Sequence, residues 1–241
     1  MTMTFTSREA AVRRPGITLS ILGFALVVLG AIGGCGESAA SHQRFNGTEV
    51  TSTEFGKDFR LTDHTGHARQ LSEFRGQVVA VFFGYTHCPD ACPTALSELA
   101  GITKRLGEDG KRLQVLFVTL DPQRDTPEVL RSYVPAFNPA FLGLYADAAA
   151  TKRLTSDFKV FYEKIPGKTP TSYTIDHSVY IYAFDTQGRL RLLMAPTEPL
   201  EQKLEDLRAL VAEAPEEGLL RHSSLAAINR TRLLSRTTEA R

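Results

Sequence analysis

Residues 77–83 read Gln-Val-Val-Ala-Val-Phe-Phe, an apolar, β-branched and aromatic run bounded by Gly76 and Gly84. A run of that length without alternation predicts a strand buried on both faces, at the centre of a sheet. Residues 113–120 (Leu-Gln-Val-Leu-Phe-Val-Thr-Leu) predict a second such strand. Between the two the period becomes helical: Pro93 suits a first turn, Leu96, Leu99, Ile102 and Leu106 recur on one face, and Gly107 offers a stop. Thr126-Pro127 supplies a cap and first-turn proline for a helix running to about Val134, and residues 148–158 predict a third helix. Residues 179–184 and 190–193 predict strands joined by a turn at Thr186-Gln187-Gly188, after which Leu200, Leu204, Leu207 and Val211 line one face of a last helix. Upstream, residues 59–70 read as a hairpin about Thr62-Asp63-His64-Thr65-Gly66, followed by a short helical turn at residues 71–74.

Strands alternating with helices, then a hairpin and a final helix, predict an α/β domain at residues 54–214. Its central mixed β-sheet is flanked by helices and preceded by an N-terminal hairpin, which is the thioredoxin-like plan. The first 34 residues differ. Arg8, Arg13 and Arg14 precede an uncharged, largely apolar stretch at residues 17–32, followed by Gly33, Gly34 and Cys35. That is a signal-sequence pattern, also close to the length a retained membrane helix needs. Ile32-Gly33-Gly34-Cys35 resembles the lipobox of bacterial lipoproteins, which implies lipidation of Cys35; the other reading is an uncleaved anchor ending in a spare cysteine. Both expect the globular part outside the cytoplasm, tethered to a bacterial membrane on its periplasmic face. Residues 35–53 are small and polar and predict a flexible tether without chemistry. Residues 215–241 predict a disordered basic tail, carrying Arg221, Arg230, Arg232, Arg236 and Arg241, that is solvated or in contact with anionic lipid.

A formal net charge of +1 and the absence of a long basic run set nucleic acid aside as a partner. No Walker-type loop, dinucleotide fingerprint or HExxH occurs. With Cys35 set aside as a lipid carrier, the three cysteines reduce to Cys88 and Cys92, in an oxidising compartment.

Phe83-Gly84-Tyr85-Thr86-His87-Cys88-Pro89-Asp90-Ala91-Cys92-Pro93 puts two thiols between a buried strand and a helix start, the rim where ligands bind in such sheets. Unpaired N–H groups and the positive end of the helix lower thiol pKa and favour thiolate, the form that ligates metal or attacks disulfides. Helical residues four apart have Cβ atoms about 5–6 Å apart, whereas a relaxed disulfide wants about 3.8 Å. A bridging metal tolerates the wider gap, and a Cys88 in the loop before the helix would permit both. Two thiolates favour Cu(I) or Zn(II), and His177, in Tyr173-Thr174-Ile175-Asp176-His177-Ser178 just before a strand, is the candidate third ligand. His87 is expected to point away from Cys88, and His42, His64, His67 and His222 to be exposed. Phe82, Phe83 and Tyr85 are read as packing residues.

The segment Phe83 to Thr94 together with Asp121-Pro122-Gln123-Arg124-Asp125-Thr126-Pro127-Glu128 and Asp176-His177-Ser178 resembles the SCO/SenC family of cytochrome oxidase copper-assembly proteins. The resemblance covers residues 55–211 approximately. It implies copper, as Cu(I) and/or Cu(II), on Cys88, Cys92 and His177. It further implies either copper delivery to the binuclear site of cytochrome c oxidase subunit II, or another copper acceptor, or reduction of that site's cysteines. Asp121 and Asp176 are the residues that could orient His177 or tune the site around it, with Asp121 alternatively capping a turn beside Pro122. The strongest rival is an extracytoplasmic thiol-disulfide oxidoreductase or peroxidase using Cys88 and Cys92 as redox thiols. Its chemistry has no need of His177.

Overall fold

The apolar runs build the centre of the molecule. The computed structural model describes residues 45–50, 55–169 and 172–213. These residues form strands β1 (Thr48–Glu49), β2 (Arg60–Asp63), β3 (Ala68–Gln70), β4 (Val78–Gly84), β5 (Leu113–Thr119), β6 (Leu142–Tyr145), β7 (Tyr162–Pro166), β8 (Tyr173–His177), β9 (Ile181–Phe184) and β10 (Leu190–Met194). The helices are α1 (Ala91–Arg105), α2 (Pro127–Tyr133), α3 (Ala148–Asp157) and α4 (Leu200–Ala212). Eight strands make one mixed sheet in the order β1-β10-β9-β4-β5-β6-β2-β3, and β7 and β8 form a separate two-stranded ribbon.

Strand β4 pairs in parallel with β5 and antiparallel with β9, and all seven of its residues are buried. Burial at every position means that both faces of the sheet are covered there, as an apolar run without alternation requires. Phe82, Phe83, Phe117 and Phe158 are fully or almost fully buried, and side chains of this size contribute about 1.5–3 kcal/mol each when removed from water. Helix α1 buries Leu96, Leu99 and Ile102 against this core. Helix α4 packs beside it, tied by Lys203 to Glu98 (2.7 Å) and by a two-pronged contact from Arg105 to Glu201 (2.6 Å each).

The predicted elements recur with boundaries shifted by a residue or two, the predicted cap included: Thr126 Oγ1 accepts from Val129 N–H at 3.4 Å. Three features depart from expectation. Residues 142–145 add a third parallel strand, β6, beside β5. Residues 162–166 and 173–177 form the β7–β8 ribbon, for which the polar pattern gave no strand signal. Residues 45–50, assigned to the tether, dock on the sheet edge: β1 pairs with β10, and the buried Asp206 of α4 accepts from the N–H groups of Asn46 (2.9 Å) and Gly47 (2.7 Å). The signal stretch, Cys35, the rest of the tether and the basic tail lie outside the described residues. Among the described residues, no helix is long and apolar enough to cross a membrane.

His64, expected at the surface, is only 5 % exposed. Because β2 pairs with β6, the turn after it folds back on that strand, and His64 Nδ1 accepts from Gly143 N–H at 3.0 Å. Burial holds its imidazole below the ordinary pKa. His67 is exposed, as expected.

Candidate metal centre

Strand β4 ends at Gly84, and the chain turns through residues 85–90 before α1 begins. The turn is closed by Cys88 N–H donating to Tyr85 C=O (3.2 Å), which holds Cys88 in the loop while Cys92 sits in the first helical turn. Both are free thiols, Cys88 half-buried and Cys92 fully buried. Cys92 N–H donates to Cys88 Sγ at 3.4 Å, one of the N-terminal helix donors left without a backbone partner.

A ribbon with its own two-stranded ladder brings the third group. His177 closes β8, and its Nε2 lies 3.7 Å from Cys92 Sγ. Ser178 C=O sits 2.8 Å from Nδ1, so Nδ1 carries the proton and the Nε2 lone pair is left for the sulfurs or a metal. Tyr85 and Phe82 meet the imidazole edge-on, with ring centroids 5.9 and 6.4 Å away. The two Sγ atoms and a ring nitrogen of His177 all lie within 4.8 Å of one another. For three atoms so arranged there is a point within about 2.8 Å of all of them (4.8/√3), and zinc bonds to sulfur and imidazole nitrogen run about 2.0–2.3 Å. A contraction of at most about 0.5–0.8 Å per ligand therefore makes a three-coordinate site, for which two thiolates and an imidazole suit Cu(I) or Zn(II).

The thiols are unlike each other. The hydrogen bond from Cys92 brings the Cys88 pKa down to about 5 against burial, with the N–H groups of Asp90 and Cys92 assisting. The same contact with Cys88, reinforced by burial, pushes Cys92 well up. At neutral pH Cys88 is thus the thiolate and Cys92 the thiol that hydrogen-bonds to it.

Two residues unforeseen as functional fix this geometry. Gly84 is needed for space: a Cβ there would lie 2.7 Å from Cys92 Sγ, 3.0 Å from Phe117 and 3.1 Å from Phe82. Asp125, 1 % exposed, accepts from Thr86 N–H (3.0 Å), Thr86 Oγ1 (2.6 Å) and Thr119 Oγ1 (2.6 Å), so it pins the cysteine loop to the end of β5. The signals were a glycine closing a buried strand, a mark of close approach, and a second aspartate in the Asp121 to Glu128 segment.

The two carboxylates considered as partners of the imidazole lie elsewhere. Asp121 is buried and accepts from Tyr173 Oη (2.7 Å) and from the Arg124 guanidinium, which stacks 3.6 Å over the Tyr173 ring and donates to Tyr173 C=O at 3.0 Å. It anchors the start of β8, four residues from His177. Asp176 is exposed and stands directly across the ribbon from Glu163. The place at Nδ1 expected for one of them is filled by Ser178 C=O. His87 is 55 % exposed and turned toward Thr86 and Asp125, in line with expectation. Phe82, Phe83 and Tyr85 are buried packing residues, also as expected.

Comparison with known proteins follows the same motifs. Residues 47–212 match the family described as SCO1/SenC. The chain is 33 % identical over 215 residues to the mitochondrial SCO2 homolog of Bos taurus, covering 86 % of this chain and 80 % of the bovine protein. It is 37 % identical over 139 residues to the SCO2-like protein of Rickettsia felis, covering 57 % of this chain and 68 % of that one. Among solved structures, Bradyrhizobium japonicum ScoI with copper bound superposes with a TM-score of 0.60 at 35 % identity, over 65 % of this chain and 99 % of that one. Yeast Sco1 with copper bound gives 0.62 at 29 % identity, over 69 % and 93 %.

Proposed function

Since the chain belongs to the SCO1/SenC family, we propose that it is a copper metallochaperone that binds one copper ion through Cys88, Cys92 and His177. The observation that carries this reading is the convergence of three soft or borderline donors from a loop, a helix and a separate ribbon, within 4.8 Å of one another. A structural disulfide would not need the imidazole, and a catalytic dithiol would not need its Nε2 lone pair aimed at the buried sulfur. The copper bound in the Bradyrhizobium and yeast structures supports choosing copper over zinc.

The cargo is passed on, in this reading, to cytochrome c oxidase subunit II during assembly of its binuclear copper site. Two sulfurs and one nitrogen leave room for an incoming thiolate from the acceptor, so ligands exchange one at a time without free copper. Cys88, half-buried and already ionised near neutral pH, is the first sulfur an acceptor meets; Cys92 lies beneath it. Asp121, through Tyr173, sets where the ribbon carries His177. The N-terminal segment, by lipidation of Cys35 or as a retained helix, holds the domain on the periplasmic side of a bacterial membrane.

One observation favours a second role. The unequal thiols, one ionised and one buried and protonated, form the arrangement that attacks a disulfide and then resolves the mixed disulfide. The same pair would reduce the acceptor's cysteines before copper arrives. Copper titration of wild type and of the Cys88→Ala, Cys92→Ala and His177→Ala variants separates the two. The chaperone reading expects one copper per chain in wild type and at least a tenfold weaker complex in each variant. Equal copper affinity in His177→Ala, with retained disulfide reductase activity, would leave only the oxidoreductase.

A further inference from the structure

Among the described residues the large apolar side chains left most exposed are Phe161 (55 %), Ile165 (43 %) and Tyr180 (41 %). All three belong to one short stretch of surface. Ser178 N–H donates to Phe161 C=O at 3.0 Å and the Ser178 hydroxyl accepts from Phe161 N–H at 3.1 Å, which fastens Phe161 beside the end of the β7–β8 ladder at Tyr162 and His177. Side chains alternate along a strand and directly opposed residues share a face. Glu163 and Ile165 therefore stand on one face with Thr174 and Asp176, and Phe161 continues the alternation on that side, while Tyr162, Tyr173, Ile175 and His177 stand on the other. The inner face holds the site, with Ile175 buried and Tyr173 fastened to Asp121. The outer face is apolar at Phe161 and Ile165, and Tyr180 follows two residues past Ser178.

At its middle, Glu163 and Asp176 are directly opposed. Like charges in that relation weaken a ladder, and among the described residues no cation joins them: Lys164 points to the inner face, 2.8 Å from Gln123 and over the Tyr173 ring. Lys168 lies beyond the strand, toward the turn. The face is also continuous with the metal centre. Thr174 and Asp176 help to line an open cavity of about 380 Å³ that contains Cys88, Pro89 and His177. A body seated on the outer face thus meets the mouth from which the half-buried sulfur is reached.

We propose that the outer face of the β7–β8 ribbon is the docking surface for the protein that accepts the copper, and that the accepting surface presents a lysine or arginine set among apolar side chains. The proposal deepens the chaperone reading and depends on it. Charge chooses this occupant over the other two that an exposed apolar face suggests. A second copy related by a two-fold axis would bring two Glu163–Asp176 pairs together, and an anionic bilayer would repel the same pair. A basic group on the acceptor instead relieves the repulsion within the ribbon, since opposed charges across an interface steer and register a complex.

The test uses the full-length chain loaded with Cu(I) and two recipients: the copper-free, reduced soluble domain of a cytochrome c oxidase subunit II, and bicinchoninate, a small chelator that needs only access to the metal. Variants are Phe161→Ser combined with Ile165→Ser, and Glu163→Lys. The substitution at residue 163 creates an opposed ion pair with Asp176, so it leaves the ribbon at least as stable as before. Both variants are expected to bind copper and yield it to bicinchoninate as wild type does, yet to transfer it to the protein domain about tenfold or more slowly, the loss typical of removing central interface contacts. Wild-type transfer rates to the protein domain in both variants would overturn the docking proposal and leave the chaperone reading intact. No transfer from wild type to that domain would overturn the chaperone reading, and the docking proposal with it. Sedimentation alone and with anionic vesicles covers the rival occupants: self-association or vesicle binding that the variants abolish, with protein transfer unchanged, assigns the face to a second copy or to lipid and overturns the proposal.

Discussion

Replacing Gly84 by alanine tests the link between the core and the metal centre. The added Cβ would lie 2.7 Å from Cys92 Sγ, a separation that carbon atoms essentially never show, and 3.0 and 3.1 Å from Phe117 and Phe82. Both phenylalanines are fully buried within the close-packed sheet and cannot withdraw. The sulfur can. It hangs on a single torsion whose wells are about 120° apart, so relief requires either a rotamer change that carries Sγ about 3 Å away or a strained, off-rotamer compromise. Overpacking of this kind costs about 1–3 kcal/mol. A rotamer change would also take Sγ out of its 3.7 Å contact with His177 Nε2. Gly84→Ala is therefore expected to fold, to lose about 1–3 kcal/mol in urea unfolding with an unchanged slope, and to bind copper at least tenfold more weakly in a chelator competition. Wild-type stability together with wild-type copper affinity would refute the claim that this glycine makes room for the ligand.

Asp125→Ala removes the acceptor of three donors, of which Thr86 N–H and the buried Thr119 hydroxyl are the hardest to satisfy otherwise. At about 1–3 kcal/mol for each of these two stranded groups, urea unfolding should report a loss of about 2–6 kcal/mol, and Asp125→Asn should recover part of it; a change under about 0.5 kcal/mol for alanine contradicts the pinning role. Alkylation of the metal-free protein by iodoacetamide should modify Cys88, with a rate that falls through a pH midpoint of about 5, and should spare Cys92. A midpoint near the ordinary thiol value of about 8.5, or labelling at Cys92 first, contradicts the assignment. The buried His64 has its pKa held below the unfolded value of about 6.5, so acidification through that value protonates the unfolded chain before the native one and costs stability. The urea midpoint should fall between pH 7.5 and pH 5.5 by more in wild type than in His64→Gln; an equal fall in the two contradicts burial of a neutral ring.

What could be read from the sequence followed from how strongly each segment is determined by its own residues. Strands β4 and β5 are apolar at nearly every position because they are covered on both faces, and α1 and α4 carry one-sided patterns because they lie on a sheet. Such signals are local. Strand β7 is not determined that way: Tyr-Glu-Lys-Ile-Pro is exposed at every position but Tyr162, so no alternation marks it, and its partner β8 is held in place by Asp121 and Arg124 on Tyr173. Residues 45–50 looked like a linker because their anchor, Asp206, lies about 160 residues away in sequence. The metal centre divides in the same way. Cys88 and Cys92 announce themselves by spacing at a strand-to-helix turn, whereas His177 became a candidate by its neighbours in a motif, and the geometry of Nε2 against Cys92 appears only in three dimensions. Gly84, Asp125 and Ser178 act by room and by hydrogen bonding, which a single chain of letters encodes weakly.

The most direct test of the central claim is X-ray absorption at the copper edge on the one-to-one complex, with His177→Ala measured beside it. The account predicts two sulfurs and one imidazole nitrogen in wild type, and loss of the nitrogen with weaker binding in the variant. A wild-type spectrum without imidazole nitrogen, or a variant spectrum and affinity indistinguishable from it, would contradict the assignment of His177 to the metal.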